Sequence, residues 1–343
     1  MEIMDKVRRG TIVKPKNYLC FLVIFFVLNI PVFTILVPNP TNYDVMLRHY
    51  SEKRKIDTIF IGTSLAMCAM DPKAFDTISG GMSYNMASNN QSLDTGLECI
   101  KKATRDHNIK RVFLVLDEGI MGWGDDMKYS EKSQFIDSFL RRYPKEGIPL
   151  WFKNISNPRT IETTVSVKSI IPWIYGKSLG RIPYRMMCLL GIIEDPELYD
   201  IWCRDENGFA HSDETREMQE TDEMIVSDEP IYITDENLEI LRDMIGFSQR
   251  NNIDFFVVTI PTGNIASNSN NRYSTIQSAV EQGGGLFINS DMISKDYLNM
   301  FTDDFRDGRH MNDNGARTFS TFLAVLCKEA AEGVNIKALY GED

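Results

Sequence analysis

A serine at the mouth of an apolar strand, and a histidine with an acid three residues ahead of it, are the features of this chain that could do covalent chemistry. The first lies in Ile59-Phe60-Ile61-Gly62-Thr63-Ser64. A serine just past a buried strand can present its hydroxyl at the C-terminal edge of a parallel sheet, with its own backbone N–H free to donate. The same Gly-Thr-Ser could also serve only as a helix N-cap. The second lies in Asp307-Gly308-Arg309-His310-Met311-Asn312-Asp313-Asn314-Gly315-Ala316, ahead of a closing helix. An acid at that spacing can turn back and accept the imidazole Nδ1–H, leaving Nε2 to take a proton from a serine. The other three histidines are weaker candidates. His49, in a lead-in segment, and His107, at the end of a surface helix, are expected to be solvated. His211 sits in an acidic stretch where acids could pair with it but no apolar strand positions it.

Taken together, the two runs resemble the SGNH/GDSL hydrolase superfamily. Ser64, Asp307 and His310 stand at that family's three catalytic positions, and the N-x-x-G-A start of the closing helix, Asn312 to Ala316, is also typical. The opening IFIGTSLAMCAMDPKAF resembles a membrane-anchored subset. It includes proteins of the D-alanyl-lipoteichoic-acid transfer type and relatives that work beside membrane-bound O-acyltransferases. The resemblance covers about residues 55–123 and 235–330 and leaves 124–232 unmatched. It implies that Ser64 is the nucleophile, His310 the general base and Asp307 its orienting acid. It also implies oxyanion donors in the backbone N–H groups of Ser64 and of Asn90, which stands where the family commonly has glycine. Asparagine tolerates the positive φ such a position can need. A third donor, an Asn after the third strand in many hydrolases, is missing, since that place reads Leu116-Asp117-Glu118-Gly119. Loss of one oxyanion donor typically costs ~10²–10³ in rate. The envelope-type relatives often lack it too, which disfavours a fast general esterase more than an acyl-transfer role. Asp117 and Glu118 would oppose an oxyanion, so they are expected to point away or to bind substrate.

The elements that must hold these residues read as strands alternating with helices. Strands are expected at 57–62, 82–86, 111–116, 253–260 and 285–289, and helices at 92–107, 235–250, 274–282 and 313–332. That alternation predicts an α/β fold, a doubly wound, flavodoxin-like parallel sheet of about five strands covered on both faces. By resemblance the fold is SGNH-hydrolase-like. Residues 38–54 read as a linker. Residues 124–232 break the rhythm and read as a partly helical insertion or cap, its acidic part a loop, that could lie over the site face.

Composition excludes several classes. Hydrophobic residues make up 43% and charged residues 25%, ordinary globular usage. The net charge of -11 argues against a nucleic-acid partner. Six cysteines, none in a CxxC pair, do not suggest a disulfide scaffold or a Cys-rich zinc site. The N-terminus is different material. Residues 1–18 carry five bases and two acids, and 19–37 run without a charge. Those 19 residues would span about 28 Å as a helix, one hydrocarbon core. A cleaved signal peptide would have a shorter apolar run and small residues after it, where this chain has Pro-Asn-Pro. The expectation is an uncleaved single-pass anchor with 1–18 cytoplasmic and 41–343 extracytoplasmic.

Lesser candidates have plainer readings. Thr63 is expected to hydrogen-bond locally, Cys68 to pack, and Gly283-Gly284-Gly285 to make a turn rather than a phosphate loop. Asp303, Asp304 and Asp307 could suggest a cation, but clustered loop acids are usually solvated, and neither metal nor cofactor is expected. The chemistry and the orientation together point to a serine esterase or O-acyltransferase acting on a cell-envelope or exported polysaccharide. The alternative is a catalytically weak accessory that binds a glycan or a membrane-bound O-acyltransferase.

Overall fold

The computed structural model describes residues 16–21, 24, 42–122, 125–155, 204–215, 229–261, 271–290, 300 and 302–331. The chain divides into two compact units. One comprises residues 1–39 and 165–197, of which 16–21 and 24 are described, all helical. Tyr18, Leu19, Phe21 and Ile24 are exposed there. Most of the expected anchor lies outside the described residues, and no described helix is long and apolar enough to cross a membrane. Residues 156–203 and 216–228 of the insertion also lie outside them.

The other unit, residues 40–164 and 198–343, carries a five-stranded, all-parallel sheet. Its strands are β1 (Thr58–Ile61), β2 (Ser83–Asn85), β3 (Arg111–Val115), β4 (Asp254–Val258) and β5 (Leu286–Ile288), in the order β2-β1-β3-β4-β5. That order is compatible with a doubly wound fold, whose switch point falls between β1 and β3. The register sets Ile61 beside Leu114 and Val115 beside Val258.

Strand residues alternate between two cores, as a period of two requires. Ile59, Ile61, Val112, Leu114, Phe255, Val257 and Phe287 face one core. It is covered by α1 (Asn42–Glu52), α4 (Leu93–Asp106), α6 (Asp125–Arg142), α8 (Asp235–Arg250) and α9 (Ser274–Gln282). Phe60, Phe113, Val115, Phe256, Val258 and Ile288 face the other. It is covered by α2 (Ser64–Ala69), α3 (Pro72–Ser79) and α10 (Asp313–Ala331). Phe113 and Phe256 stack there at 4.6 Å between ring centroids. The short α5 (Glu118–Met121) follows β3, and α7 (Pro144–Ile155) follows α6.

One expectation needs correction. Residues 42–52 are a helix and not part of a linker: Tyr43, Met46, Leu47 and Tyr50, spaced three and four apart, are buried in the first core. The start of the insertion packs against the first core. In α6, Phe135, Ile136 and Phe139 join that same core beside α1 and α4. The lone described piece between residues 156 and 228, 204–215, pairs instead along β2. Asn85 N–H donates to Asn207 O at 2.9 Å. Gly208, at φ +83, comes so close that a Cβ would lie 2.1 Å from Asn85 O.

Candidate active site

Ser64 is delivered by a turn that glycine makes possible. Gly62 has φ +140, and a Cβ on it would meet Val115 O at 2.8 Å and Ala66 Cβ at 3.0 Å. Thr63 is the N-cap of α2, its Oγ1 accepting from Leu65 N–H at 3.3 Å. The cap role open to Gly-Thr-Ser thus falls to Thr63, and Ser64 becomes the first helical residue. Its N–H has no intrahelical acceptor, and its Oγ is 2.8 Å from His310 Nε2.

His310 stands on a tightly folded loop ahead of α10. Phe305 and Met311 form an antiparallel bridge across the loop, and both are buried in the second core. Asn312 closes it, donating through Nδ2 to Asp303 O at 2.6 Å and through its own N–H to Asp304 O at 3.0 Å. Its Oδ1 accepts from Asn314 and Gly315 N–H at 3.1 and 3.2 Å. Asp307 turns back as its spacing predicts. Its Oδ1 accepts the backbone N–H groups of Arg309 and His310, both at 2.8 Å, and its Oδ2 lies 2.8 Å from His310 Nδ1. Burial raises the Asp307 pKa, but those backbone bonds and the imidazole outweigh it, so the carboxyl is held below its usual value. An ionised carboxylate can only accept, so Nδ1 carries the proton and Nε2 is the acceptor facing Ser64.

Asn90 has φ 55, in the left-handed region the oxyanion position can need. Its loop is tied to the turn that delivers Ser64. Ser88 N–H donates to Gly62 O at 3.1 Å, and Gly62 N–H donates to Gln91 Oε1 at 2.9 Å. The structure therefore brings Ser64, His310 and Asp307 into one hydrogen-bonded line and anchors Asn90's loop two residues before the serine.

Asp117 and Glu118 point to partners within the protein. Asp117 is buried and accepts from Thr63 Oγ1 at 2.8 Å, Gly119 N–H at 2.9 Å and Arg309 Nη2 at 3.0 Å. Glu118 pairs with Arg272 and accepts the Tyr273 hydroxyl at 2.7 Å. Thr63 thus makes more than a local bond, since it joins the turn of Ser64 to the residue that follows β3 and Leu116. Arg309, which stands between Asp307 and His310 in the sequence, was given no role there. The available signal was the buried acid at the end of β3, which calls for a cation.

The remaining candidates behave structurally. Cys68 is buried, and burial pushes its thiol up to about 12. Gly284 turns at φ +82 ahead of β5. His211 pairs through Nδ1 with Asp313 at 3.0 Å and lies 3.6 Å from Asp205, clamping residues 204–215 to the start of α10. The expectation that His49 and His107 are solvated needs correcting. Both are half-buried, His49 Nδ1 3.1 Å from Asp205 O and His107 edge-on to Tyr50. Among the described residues no group of acids, cysteines or histidines is arranged to hold a metal.

Comparison with protein-family models, curated proteins and solved structures returns no match.

Proposed function

We propose that this protein is a membrane-anchored, extracytoplasmic serine esterase or O-acyltransferase with an SGNH-hydrolase-like domain. It acts on acyl groups of a cell-envelope or exported polysaccharide. The observation that carries the chemistry is the line Ser64 Oγ, His310 Nε2, His310 Nδ1, Asp307 Oδ2, with 2.8 Å at each hydrogen bond. The membrane and polysaccharide parts rest on the apolar run 19–37 and its basic flank.

In this reading Ser64 Oγ attacks the acyl carbonyl carbon while its proton passes to His310 Nε2. The carbonyl oxygen becomes an oxyanion facing the backbone N–H groups of Ser64 and Asn90. As the tetrahedral intermediate collapses, the bond to the leaving alkoxide breaks and His310 gives that oxygen its proton. Water or a glycan hydroxyl then attacks the acyl-serine, with His310 again taking and returning the proton. Asp307 keeps the imidazole in the working tautomer and faces the imidazolium as it forms.

A second reading has one observation in its favour. Asp117, an acceptor, occupies the place where many relatives put a third oxyanion donor. A non-catalytic accessory that binds a glycan or a membrane-bound O-acyltransferase would tolerate that. An activated fluorophosphonate separates the two, applied to the full chain beside S64A and H310A. Labelling of the wild type that both variants lose supports the enzyme. A folded wild type that does not label supports the accessory.

A further inference from the structure

Asn90 is a non-glycine residue in the left-handed region, held in a loop fastened at several points. Its side chain is exposed, and asparagine tolerates this region better than most residues. Gly62 holds the loop through Ser88 and Gln91, which flank Asn90. One residue further on, a second anchor is Glu131, a residue of the insertion.

Two residues after Asn90, Ser92 donates to Glu131 Oε2 through its N–H at 3.1 Å and through its Oγ at 2.5 Å. Thr95 Oγ1 donates to the same oxygen at 2.9 Å, and the Tyr43 hydroxyl donates to Oε1. One carboxyl thus gathers donors from the loop, from the first turn of α4 and from α1. Glu131 is 7% exposed. It shares a helical stripe with Phe135 and Phe139, four and eight residues on, where an apolar side chain would pack at less cost. A buried acid in that stripe is satisfied only by this set of donors, so it fixes their geometry in a way that an apolar residue would not. Its place at the N-terminus of the 14-residue α4 also favours negative charge.

We propose that Glu131 is a positioning residue for the reaction above: through Ser92 it sets where the Asn90 backbone N–H points. The proposal rests on the serine-enzyme reading. It places one determinant of the oxyanion site in the insertion, outside the part of the chain that carries the family resemblance.

The test uses the full chain in detergent. The probes are the rate of fluorophosphonate labelling at Ser64, steady-state hydrolysis of p-nitrophenyl acetate, and hydrogen exchange at the Gln91 and Ser92 amides. E131A slows labelling ~10–100-fold, a fraction of the loss of a whole donor, and lowers kcat with little change in KM. E131Q, which keeps the shape and one acceptor oxygen, recovers to within a few-fold. F139L, two turns along the same helix, lowers the melting temperature through packing without slowing labelling. If E131A does not fold, S92A carries the same expectation for labelling and for exchange at Gln91. E131A that folds and labels as fast as the wild type overturns the proposal. If the wild type itself does not label, the serine-enzyme reading has failed, and exchange decides the remainder. Faster exchange at Gln91 and Ser92 in E131A upholds Glu131 as the anchor of the loop, and unchanged exchange overturns it.

Discussion

Arg309 Nη2 lies 3.0 Å from Asp117 Oδ1, so the loop that carries His310 is tied to the end of β3. Asp117 Oδ2 meanwhile holds the Thr63 hydroxyl beside Ser64. One carboxylate therefore spans the switch point and ties the turn of Ser64 to the loop of His310. Its charge faces a guanidinium, which reduces the opposition it would offer to an oxyanion. The two partners should be worth different amounts. The Arg309 side chain is 60% exposed, so R309A should cost under about 1 kcal/mol. Asp117 is buried with three donors, and D117A should cost about 2–3 kcal/mol because those donors lose their acceptor. Urea unfolding of both variants and the double variant gives the coupling. A coupling well above 1 kcal/mol would show that exposure does not weaken this pair.

The line through Ser64, His310 and Asp307 predicts an order of damage. S64A should abolish fluorophosphonate labelling. H310A should lower its rate by at least ~10⁴, and D307N by a comparable or smaller factor, since Asn at that place can favour the wrong imidazole tautomer. The Asp307 pKa lies lower in the folded state than in the unfolded chain. Its contribution to stability is therefore present above the unfolded value, near 4, and is lost as pH falls through the folded value. The stability difference between wild type and D307N should shrink below about pH 4. Thermal melts across that range check the sign.

How much of this could be read in advance depends on where each signal is stored. Four of the strands were legible because each is a short apolar run ended by polar or small residues, whereas β2, Ser83-Tyr84-Asn85, carries only a weak signal. Ser64 follows one of them, and the Asp307–His310 contact is local, made by a turn of three residues. Helix α1 was missed although Tyr43, Met46, Leu47 and Tyr50 carry its stripe, because prolines before it and charges after it read as a linker. Glu131 was missed because an acid in an apolar stripe weakens the very periodicity that would reveal its helix. Arg309 and the half-buried state of His49 and His107 are set by residues far away in the chain, and no local pattern encodes them.

Gly62 makes a prediction about the turn itself. G62A would put a Cβ 2.8 Å from Val115 O in a backbone conformation at φ +140. Relief requires β1 and β3 to part or Ser64 to move. The variant should lose more than about 1 kcal/mol of stability, and the surviving folded protein should label slowly, since Ser64 Oγ would leave His310 Nε2. A G62A protein that melts and labels like the wild type would mean that the turn is not what aims the serine.

Burial lifts the Glu131 pKa to about 7, against hydrogen bonds from Ser92, Tyr43 and Thr95 that lower it. For a carboxyl raised on folding, the folded state binds the extra proton between the unfolded and the folded value. Stability from this group is thus full below about pH 4.3 and declines as pH rises through about 7. Tyr43 from α1 and Cys99 from α4 face it, and burial pushes both well above their ordinary values, so neither titrates in that window. Wild type should lose stability relative to E131Q from pH 5 to pH 8. Parallel curves for the two proteins would mean that Glu131 stays ionised throughout.

On the proposed serine-enzyme reading, an acid at position 117, where many SGNH hydrolases have a donor, bears on which hydroxyl takes the acyl group. In the proposed reaction the backbone N–H groups of Ser64 and Asn90 serve the oxyanion, and without a third donor each tetrahedral step lacks a contribution typically worth ~10²–10³. Formation of the acyl-serine from an activated ester suffers least, because a good leaving group makes that barrier low. Attack by water on the acyl-serine suffers most. A glycan hydroxyl held by the protein gains from its position what the oxyanion site does not supply. The expected outcome with p-nitrophenyl acetate is a burst of one p-nitrophenolate per protein, followed by slow turnover. Polysaccharide acceptors should accelerate that turnover while small alcohols at equal hydroxyl concentration should not. Rapid linear hydrolysis without a burst, indifferent to any acceptor, would place the protein among plain esterases.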